Sequence, residues 1–348
     1  MIVDDSMVAR AVLSRMVESD GGFEIVAVAG TAEDAIEALG QIRVDVILLD
    51  LEMPGAGGLK SIPGILKAAR GAQVLIVSSV AEEGAEETVA ALALGAADTL
   101  PKPGTGRFNG RFSEILLAKL RALGPAETVP RYTPADPALL ARVAAAPARS
   151  MAVGPLGLVA IGASTGGIHA LAALFEALPP QIGVPILVTQ HLPAPFMAVL
   201  ARQLSSASGR SAMVAEDGMR LSADQIVIAP GDAHLNLDLA RDRLIVRLSK
   251  QKVASGCLPS VDPMLETAGS VLGPAALGIV LTGMGRDGTA GAARLVAAGG
   301  SVIAQDEQSS AVWGMPRAIV EAGLACAVLP PLKIAHRIAI RAEEAVCK

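Results

Sequence analysis

The chain has 348 residues, of which 52% are hydrophobic and 18% charged, which excludes a disordered or fibrous protein and suffices for two domains of about 150 residues each. Its 29 Lys and Arg against 34 Asp and Glu give a formal net charge of −5, and aromatic residues make up only 2%, so we expect no nucleic-acid partner. The three cysteines Cys257, Cys326 and Cys347 are scattered, which excludes a disulfide scaffold and argues against a Cys-based zinc site.

Residues 1–123 alternate short apolar runs with helical patterns, and this rhythm predicts an α/β domain. The predicted strands are 1–3, 23–30, 44–50, 72–79 and 97–102, and the predicted helices are 6–19, 32–42, 59–69, 84–95 and 113–124. Strand–helix units at such short spacing are typical of a parallel sheet that helices cover on both faces. We therefore expect five parallel strands in this domain.

A proline-rich segment follows the first domain. Six of the 22 prolines lie between Gly124 and Pro155, among Ala, Thr and Arg. This composition predicts a linker over 124–152, with a short helical segment at 138–145.

Residues 153–345 return to the strand–helix rhythm, which predicts a second, doubly wound and mostly parallel α/β domain. The predicted strands are 157–163, 184–190, 224–230, 243–249, 276–283, 299–306 and 324–330, and the predicted helices are 169–178, 195–207, 261–273, 289–300 and 316–323. A hairpin-like insertion is expected around 226–248.

The apolar stretches do not predict a membrane span. Residues 150–175 carry no charge, but Pro155 and the polar run GASTGG interrupt them, which favours a buried strand, a turn and a helix. Asp4 and Asp5 follow Met1 too closely for the apolar core of a signal peptide. We expect a cytoplasmic protein without membrane insertion.

Polar side chains mark the ends of several strands in the first domain. Asp4 and Asp5 end the first strand, Asp50 ends the third, and Ser78 and Lys102 lie at the ends of the fourth and fifth. The carboxyl ends of parallel strands meet at one edge, where three carboxylates repel one another unless a hard cation such as Mg²⁺ binds them. One such Asp is often only a helix cap, but five polar groups together favour a site for a phosphoryl group.

These residues resemble the receiver domain of two-component response regulators. The runs VDDS at 3–6, DLEMPG at 50–55, VSS at 77–79 and LPKP at 100–103 occur in the order of that family's motifs. The resemblance implies a flavodoxin-like fold over residues 1–123, a histidine kinase as phosphodonor, and Mg²⁺ as cofactor. By motif position, Asp50 is the phospho-acceptor, Ser78 and Lys102 read out the phosphorylated state, and the metal ligands are Asp4, Asp5 and Asp50.

A glycine-rich turn opens the second domain. Residues 162–166 fit G-x-S-x-G and place Ser164 between a strand and a helix, where glycines let a substrate approach and helix N–H groups favour an oxyanion. The same pattern also fits a helix cap or a phosphate-binding turn.

A base and an orienting acid are available at two further strand ends. His191 follows the strand 184–190, and Asp287 follows the strand that begins at 276. If these strands are neighbours, Ser164, His191 and Asp287 converge as nucleophile, base and orienting acid.

Other residues offer competing interpretations. His234 is the reserve base, whereas His169 is expected to pack half-buried in a helix and His336 to be solvated. Residues 283–288 also fit the dinucleotide pattern G-x-G-x-x-G, but a charged pair inside the turn argues against that use.

The second domain resembles the chemotaxis protein-glutamate methylesterases, which are response regulators with a C-terminal esterase domain (the CheB family). The matching stretches, in the family's order, are 162–167, 190–193, 229–234, 259–262, 281–288 and 304–319. The resemblance implies a receiver over 1–123, a linker over 124–152 and a methylesterase domain over 153–345.

What the resemblance implies is a serine hydrolase that removes methyl groups from glutamate γ-methyl esters on chemoreceptor helices and also deamidates glutamines there. Ser164, His191 and Asp287 would be catalytic, Thr165 and Met284 would frame the oxyanion, and the ester chemistry would need no cofactor. We expect phosphorylation at Asp50 to raise the esterase rate.

Two alternatives remain open at this point. A general α/β-hydrolase esterase under receiver control is disfavoured, because that family orders its triad Ser…Asp…His. A receiver joined to a domain that only binds a partner protein would leave Ser164 without a chemical role.

Overall fold

A computed structural model describes residues 1–53, 57–78, 82–103, 110–124 and 149–346. The chain divides into two compact units, Met1–Tyr132 and Thr133–Lys348, and each is described by itself below. Most of the predicted linker, including the helical segment predicted at 138–145, lies outside the described residues. Across the described residues, no helix is long and apolar enough to cross a membrane.

The first unit contains a five-stranded parallel sheet, which confirms the predicted fold class. Its strands are β1 (Ile2–Val3), β2 (Val28–Ala29), β3 (Val46–Leu49), β4 (Gln73–Ile76) and β5 (Asp98–Thr99), in the spatial order β2-β1-β3-β4-β5. Every adjacent pair is parallel. The strands are shorter than the apolar runs, most clearly at 23–30, where only two residues pair with β1.

Among the residues that the structure describes, five α-helices accompany this sheet: α1 (Met7–Glu18), α2 (Ala32–Gln41), α3 (Gly58–Ala69), α4 (Glu82–Ala93) and α5 (Gly110–Leu123). Two begin at side-chain caps, since Ser6 accepts a hydrogen bond from Ala9 N and Thr31 accepts one from Asp34 N. At Gly58, a Cβ would lie 2.5 Å from the backbone of Asp50 and Leu51, so α3 starts against the end of β3.

The second unit is built on a seven-stranded parallel sheet. Its strands are β6 (Leu158–Ala163), β7 (Ile186–Gln190), β8 (Ala212–Val214), β9 (Ile226–Ile228), β12 (Ala276–Val280), β13 (Ser301–Gln305) and β14 (Ala327–Leu329), in the order β14-β13-β12-β6-β7-β9-β8. From β6 the chain continues to β7 on one side, whereas β12, β13 and β14 are added later on the other side of β6. The strand order therefore reverses at β6, and ligands of parallel α/β sheets bind at such a switch point.

A separate antiparallel hairpin joins β10 (His234–Ala240) to β11 (Arg243–Ser249). Its turn residues Arg241 and Asp242 both have positive φ, 48° and 62°, as a two-residue type I′ turn requires. The insertion expected at 226–248 was therefore placed too early, since 226–228 is the buried strand β9 of the main sheet.

The described part of this unit contains six α-helices: α6 (Gly167–Ala177), α7 (Met197–Ser208), α8 (Val261–Leu272), α9 (Thr289–Ala297), α10 (Met315–Glu321) and α11 (Pro331–Val346). Helices α8 and α9 approach each other backbone to backbone. A Cβ on Gly269 would lie 2.6 Å from Leu295 Cα, and one on Gly291 would lie 2.2 Å from the carbonyl oxygen of Asp262. The first turns of α8 and α9 are therefore held close together, next to the end of β12.

Candidate functional site

Ser164 and His191 leave two paired strands at the same edge of the seven-stranded sheet. Ala163 at the end of β6 pairs with Gln190 at the end of β7, and His191 N donates a hydrogen bond of 3.0 Å to Ala163 O. On the other side of β6, Ser164 N donates to the carbonyl oxygen of Thr282, just after β12. The three strands whose ends carry the predicted residues are therefore neighbours, as the sequence-based argument required.

The turn that carries Ser164 depends on its glycines. Gly166 has φ 76°, a conformation that side chains rarely adopt, and its Cβ would lie 2.5 Å from that of Ala311. A Cβ on Gly167 would collide with the Gln190 side chain, whose Nε2 donates to Ser164 O at 2.9 Å. The G-x-S-x-G-G run thus sets the turn in front of α6.

His191 and Asp287 form a partly buried pair. His191 Nε2 lies 2.8 Å from Asp287 Oδ2, and their side chains are 16% and 1% exposed. Because Nε2 is used by Asp287, the ring nitrogen left for another partner is Nδ1. Among the described residues, no hydrogen bond joins the Ser164 hydroxyl to His191, so the structure brings the three residues to one edge with the His–Asp bond formed.

The carboxylate of Asp287 is held by the first turn of α8. Ser260 Oγ donates to Oδ1 at 2.6 Å, and Val261 N donates to Oδ2 at 2.7 Å. Burial on its own raises the pKa of Asp287, but the hydrogen bonds and the charge of His191 outweigh burial and keep that pKa well below its usual range. Asp287 is therefore a fixed anion beside the imidazole.

Ser260 was not singled out from the sequence as a site residue. It lies in the PSVD stretch at 259–262, and it also caps α8, because Asp262 N donates to its hydroxyl at 3.2 Å. A serine directly before a helical pattern signals a cap. That signal identifies the helix start, but not the contact with a carboxylate 27 residues away.

His234 is not available as a base. It is 2% exposed, its Nδ1 accepts a hydrogen bond from Ser260 N at 3.0 Å, and its Nε2 donates to the carbonyl oxygen of Gln251 at 2.8 Å. The interpretation of His234 as a reserve base is wrong, because one ring nitrogen is bonded to Ser260 N and the other to the carbonyl oxygen of Gln251. His169, expected to be half-buried, is exposed on α6, and His336 is exposed on α11 as expected.

The residues predicted around the oxyanion lie on both sides of Ser164. Thr165 is buried and its carbonyl oxygen accepts from Thr282 Oγ1 at 2.8 Å, whereas Met284 is 39% exposed in the loop after β12. Gly283 packs directly on Ser164, since a Cβ there would lie 2.7 Å from Ser164 Cβ. The loop 283–288 therefore packs on Ser164 through Gly283 and supplies Asp287 to His191. This is not the role that the dinucleotide interpretation gives to these residues.

Two further titratable groups lie beside this pair. The Sγ atom of Cys257, the His191 ring and the Asp287 carboxylate have donor atoms within 4.8 Å of one another. Burial, followed by the charge of Asp287, raises the pKa of the Cys257 thiol. Burial, together with Asp287, also raises the pKa of Asp262 to about 6.

The first unit holds a second polar cluster, at the carboxyl ends of β1, β3 and β5. Lys102 Nζ donates to Asp4 Oδ2 at 2.9 Å and to Asp50 Oδ2 at 2.6 Å. Both carboxylates are buried, whereas Asp5 is exposed. Burial raises the pKa of Asp50, assisted by the charge of Asp4 and opposed by Lys102. Although burial acts in the other direction, the two carboxylates raise the pKa of Lys102.

The donor set of this cluster fits a hard divalent cation. Carboxylate oxygens of Asp4, Asp5 and Asp50 lie within 4.8 Å of one another, and oxygen is the ligand that Mg²⁺ prefers. Ser78, at the end of β4, is buried, and its hydroxyl shares a hydrogen bond of 2.8 Å with Thr88 Oγ1 in α4. All five residues predicted for the first domain are therefore at one edge of its sheet.

The family model described as CheB methylesterase matches residues 159–338, and the model described as response regulator receiver domain matches residues 1–107. A protein-glutamate methylesterase/protein-glutamine glutaminase 2 from Caulobacter vibrioides is 41% identical over 345 residues, covering 98% of this chain and 98% of that protein. The corresponding protein 1 from Paramagnetospirillum magneticum is 38% identical over 356 residues, covering 96% and 93%.

Among solved structures, the CheB methylesterase catalytic domain of Thermotoga maritima is similar to this chain with a TM-score of 0.52 and 37% sequence identity. The match covers 53% of this chain and 98% of that domain.

Proposed function

The chain belongs to the CheB methylesterase family and carries a response regulator receiver domain, and we propose on that premise that it is a receiver-controlled serine hydrolase of protein side chains. Its reactions are the hydrolysis of glutamate γ-methyl esters and the deamidation of glutamines, the two activities in the names of its relatives. The substrates are methylated helices of chemoreceptors, and the phosphodonor is a histidine kinase.

Ser164 acts as the nucleophile of the ester reaction. Its hydroxyl oxygen bonds to the ester carbonyl carbon while Nδ1 of His191, the nitrogen that Asp287 leaves open, takes the hydroxyl proton. Collapse of the tetrahedral intermediate returns that proton to the leaving methoxide, which departs as methanol. Water then attacks the acyl-enzyme with His191 again as base, and releases glutamate and the free serine. Asp287 stabilises the imidazolium through both steps.

The oxyanion is stabilised from the two segments on either side of Ser164. Backbone N–H groups near Thr165 and Met284 are suited to this role, because one segment precedes helix α6 and the other packs on Ser164 through Gly283. In acyl-transfer enzymes, the loss of one such donor typically costs about 10²–10³-fold in rate.

In the receiver, Asp50 accepts the phosphoryl group. Asp4, Asp5 and Asp50 would hold Mg²⁺, which supplies positive charge to the phosphoryl oxygens when bound. Lys102, already hydrogen-bonded to Asp4 and Asp50, is positioned to bind the new anion, and Ser78 can exchange its bond to Thr88 for one to the phosphoryl group.

We assign the receiver to residues 1–123, the linker to 124–152 and the esterase domain to 153–345. Phosphorylation raises the esterase rate in this scheme. The proposed location is the cytoplasm, because the receptor helices that carry the methyl esters and the kinase must meet the enzyme there.

One observation carries the hydrolase proposal, namely the partly buried His191–Asp287 hydrogen bond at the strand edge from which Ser164 also projects. The experiment is methanol release from methylated receptor membranes, with and without a small-molecule phosphodonor. Ser164→Ala should abolish release, and Asp50→Asn should keep basal release but lose the response to the phosphodonor. Undiminished release by Ser164→Ala would refute the nucleophile, and an intact response of Asp50→Asn would refute the switch.

A further inference from the structure

The spacing of the three cysteines in the sequence does not predict a metal site at Cys257. It belongs to the segment between β11 and α8, and it is half-buried. Its Sγ is within 4.8 Å of a ring nitrogen of His191 and of a carboxylate oxygen of Asp287, which are themselves in contact. The ester reaction described above does not use this thiol.

The three side chains form a ligand set typical of zinc. Thiolate sulfur, imidazole nitrogen and carboxylate oxygen bind Zn²⁺ at about 2.0–2.3 Å. Two such ligands of one tetrahedral ion are therefore separated by about 3.3–3.7 Å. The separations seen, none above 4.8 Å, approach this arrangement, and small side-chain movements can complete it. Three protein ligands leave a fourth position open to water.

The electrostatics of the cluster also favour a cation. Asp287 is an anion held by Ser260 and Val261, and its carboxylate lies within 4.8 Å of the Cys257 sulfur. A divalent cation between them is attracted to the carboxylate and stabilises the thiolate. On binding, the thiol proton passes to solvent, while the neutral imidazole keeps its single proton on the ring nitrogen that does not bind.

Metal binding and ester hydrolysis need the same groups. A cation between His191 and Asp287 takes the place of their hydrogen bond and occupies an imidazole nitrogen, so the base can no longer cycle its proton. We propose that Cys257, His191 and Asp287 form a reversible Zn²⁺ site that inhibits the hydrolase.

This site differs in chemistry from the carboxylate cluster of the first unit. Asp4, Asp5 and Asp50 offer only oxygen and suit Mg²⁺, whereas the thiol and imidazole of the second unit suit Zn²⁺. Inhibition by Zn²⁺ should therefore persist in the excess of Mg²⁺ that the receiver needs.

The inhibition arm of the test rests on the proposed function. Methanol release by the full chain is titrated with ZnCl₂ in excess MgCl₂, and a chelator selective for zinc should restore the rate. Cys257→Ala should keep the basal rate and raise the half-inhibitory Zn²⁺ concentration at least about 10-fold, as the loss of a direct ligand costs at least as much as the loss of its supporting contacts. Cys257→Ser, the closest replacement in shape, should behave in the same way.

Cys326→Ala is the matched control, because Cys326 is also half-buried but lies outside the cluster. It should be inhibited like the wild type. Equal inhibition of Cys257→Ala and wild type, or release from inhibition by Cys326→Ala, would overturn the proposal.

The binding arm needs no esterase activity. Co²⁺ added to the full chain should give a thiolate-to-cobalt absorption in the near ultraviolet, retained in Ser164→Ala and Cys326→Ala and lost in both Cys257 variants. Its absence from the wild type would overturn the site. Its presence in a wild-type chain that releases no methanol would refute the proposed function and leave the metal site standing.

Discussion

Replacing Asp287 with Asn removes a charge but can preserve the geometry around it. Two N–H donors, from His191 and Val261, converge on Oδ2, and Ser260 Oγ donates to Oδ1. An Asn fits with its oxygen at the Oδ2 position and its amide nitrogen at the Oδ1 position. The Ser260 hydroxyl then turns to accept from the amide and to donate to Ser255 Oγ, which lies 3.4 Å away.

The expected magnitude follows from this rearrangement. A hydrogen bond to a charged group contributes about 1.5–3 kcal/mol and a neutral one about 0.5–1.5 kcal/mol. The loss of charge therefore costs about 1–2 kcal/mol in stabilising the imidazolium, which corresponds to a decrease in kcat of about 5- to 30-fold. In a Ser-His-Asp triad where the Asn enforces the wrong imidazole tautomer, the decrease is about 10⁴-fold.

The assay is kcat for methanol release, measured for wild type, Ser260→Ala, Asp287→Asn, Asp287→Ala and the double variant Ser260→Ala/Asp287→Asn, with thermal unfolding of each as a control for folding. Asp287→Ala leaves His191 without its acceptor and should lose about 10⁴-fold. The double variant deprives the amide of its acceptor and should lose more than the two single losses combined. Equal losses for Asp287→Asn and Asp287→Ala would refute the role given to Ser260.

Three further outcomes are expected. His234→Ala removes the partner of the buried Ser260 N–H, at a cost of about 1–3 kcal/mol, as well as the donor to the carbonyl oxygen of the exposed Gln251, and should lower the unfolding temperature of the second unit; an unchanged transition would contradict this. Gly291→Ala should destabilise the same unit by about 1–3 kcal/mol because its Cβ meets α8. Gly40→Ala, with nothing within 4 Å, is its control and should stabilise the first unit by about 0.5–1 kcal/mol in chemical unfolding. Lys102→Ala leaves two buried carboxylates unpaired and should make the esterase rate insensitive to a phosphodonor, which rate measurements with and without the donor would reveal.

The strand ends were predictable because buried parallel strands are written in the sequence as continuous apolar runs. Ser164, His191 and Asp287 each follow such a run. Because ligands bind at the carboxyl ends of parallel strands, these positions predicted one shared site, and the three strands are neighbours in the sheet. The sequence does not give the order of these strands in the sheet, which the structure supplies.

What the sequence did not indicate lies in short or irregular segments. β8 has three residues, all only half-buried, which is too short for a period to be recognised. The segment between β11 and α8 has no period at all, so neither the approach of Cys257 to His191 nor the bond from Ser260 to Asp287 could be read from spacing. Both depend on a long-range contact that only the folded chain specifies.

The hairpin β10–β11 has two ends with opposite tolerance for change. Its base carries His234, from which hydrogen bonds run through Ser260 to Asp287. Its tip, Arg241–Asp242, is exposed and bonded to nothing in that series. The tip should therefore accept a few added residues without a change in the chemistry of the site. A fluorescent dye attached there would give an optical signal from the protein at the same low cost.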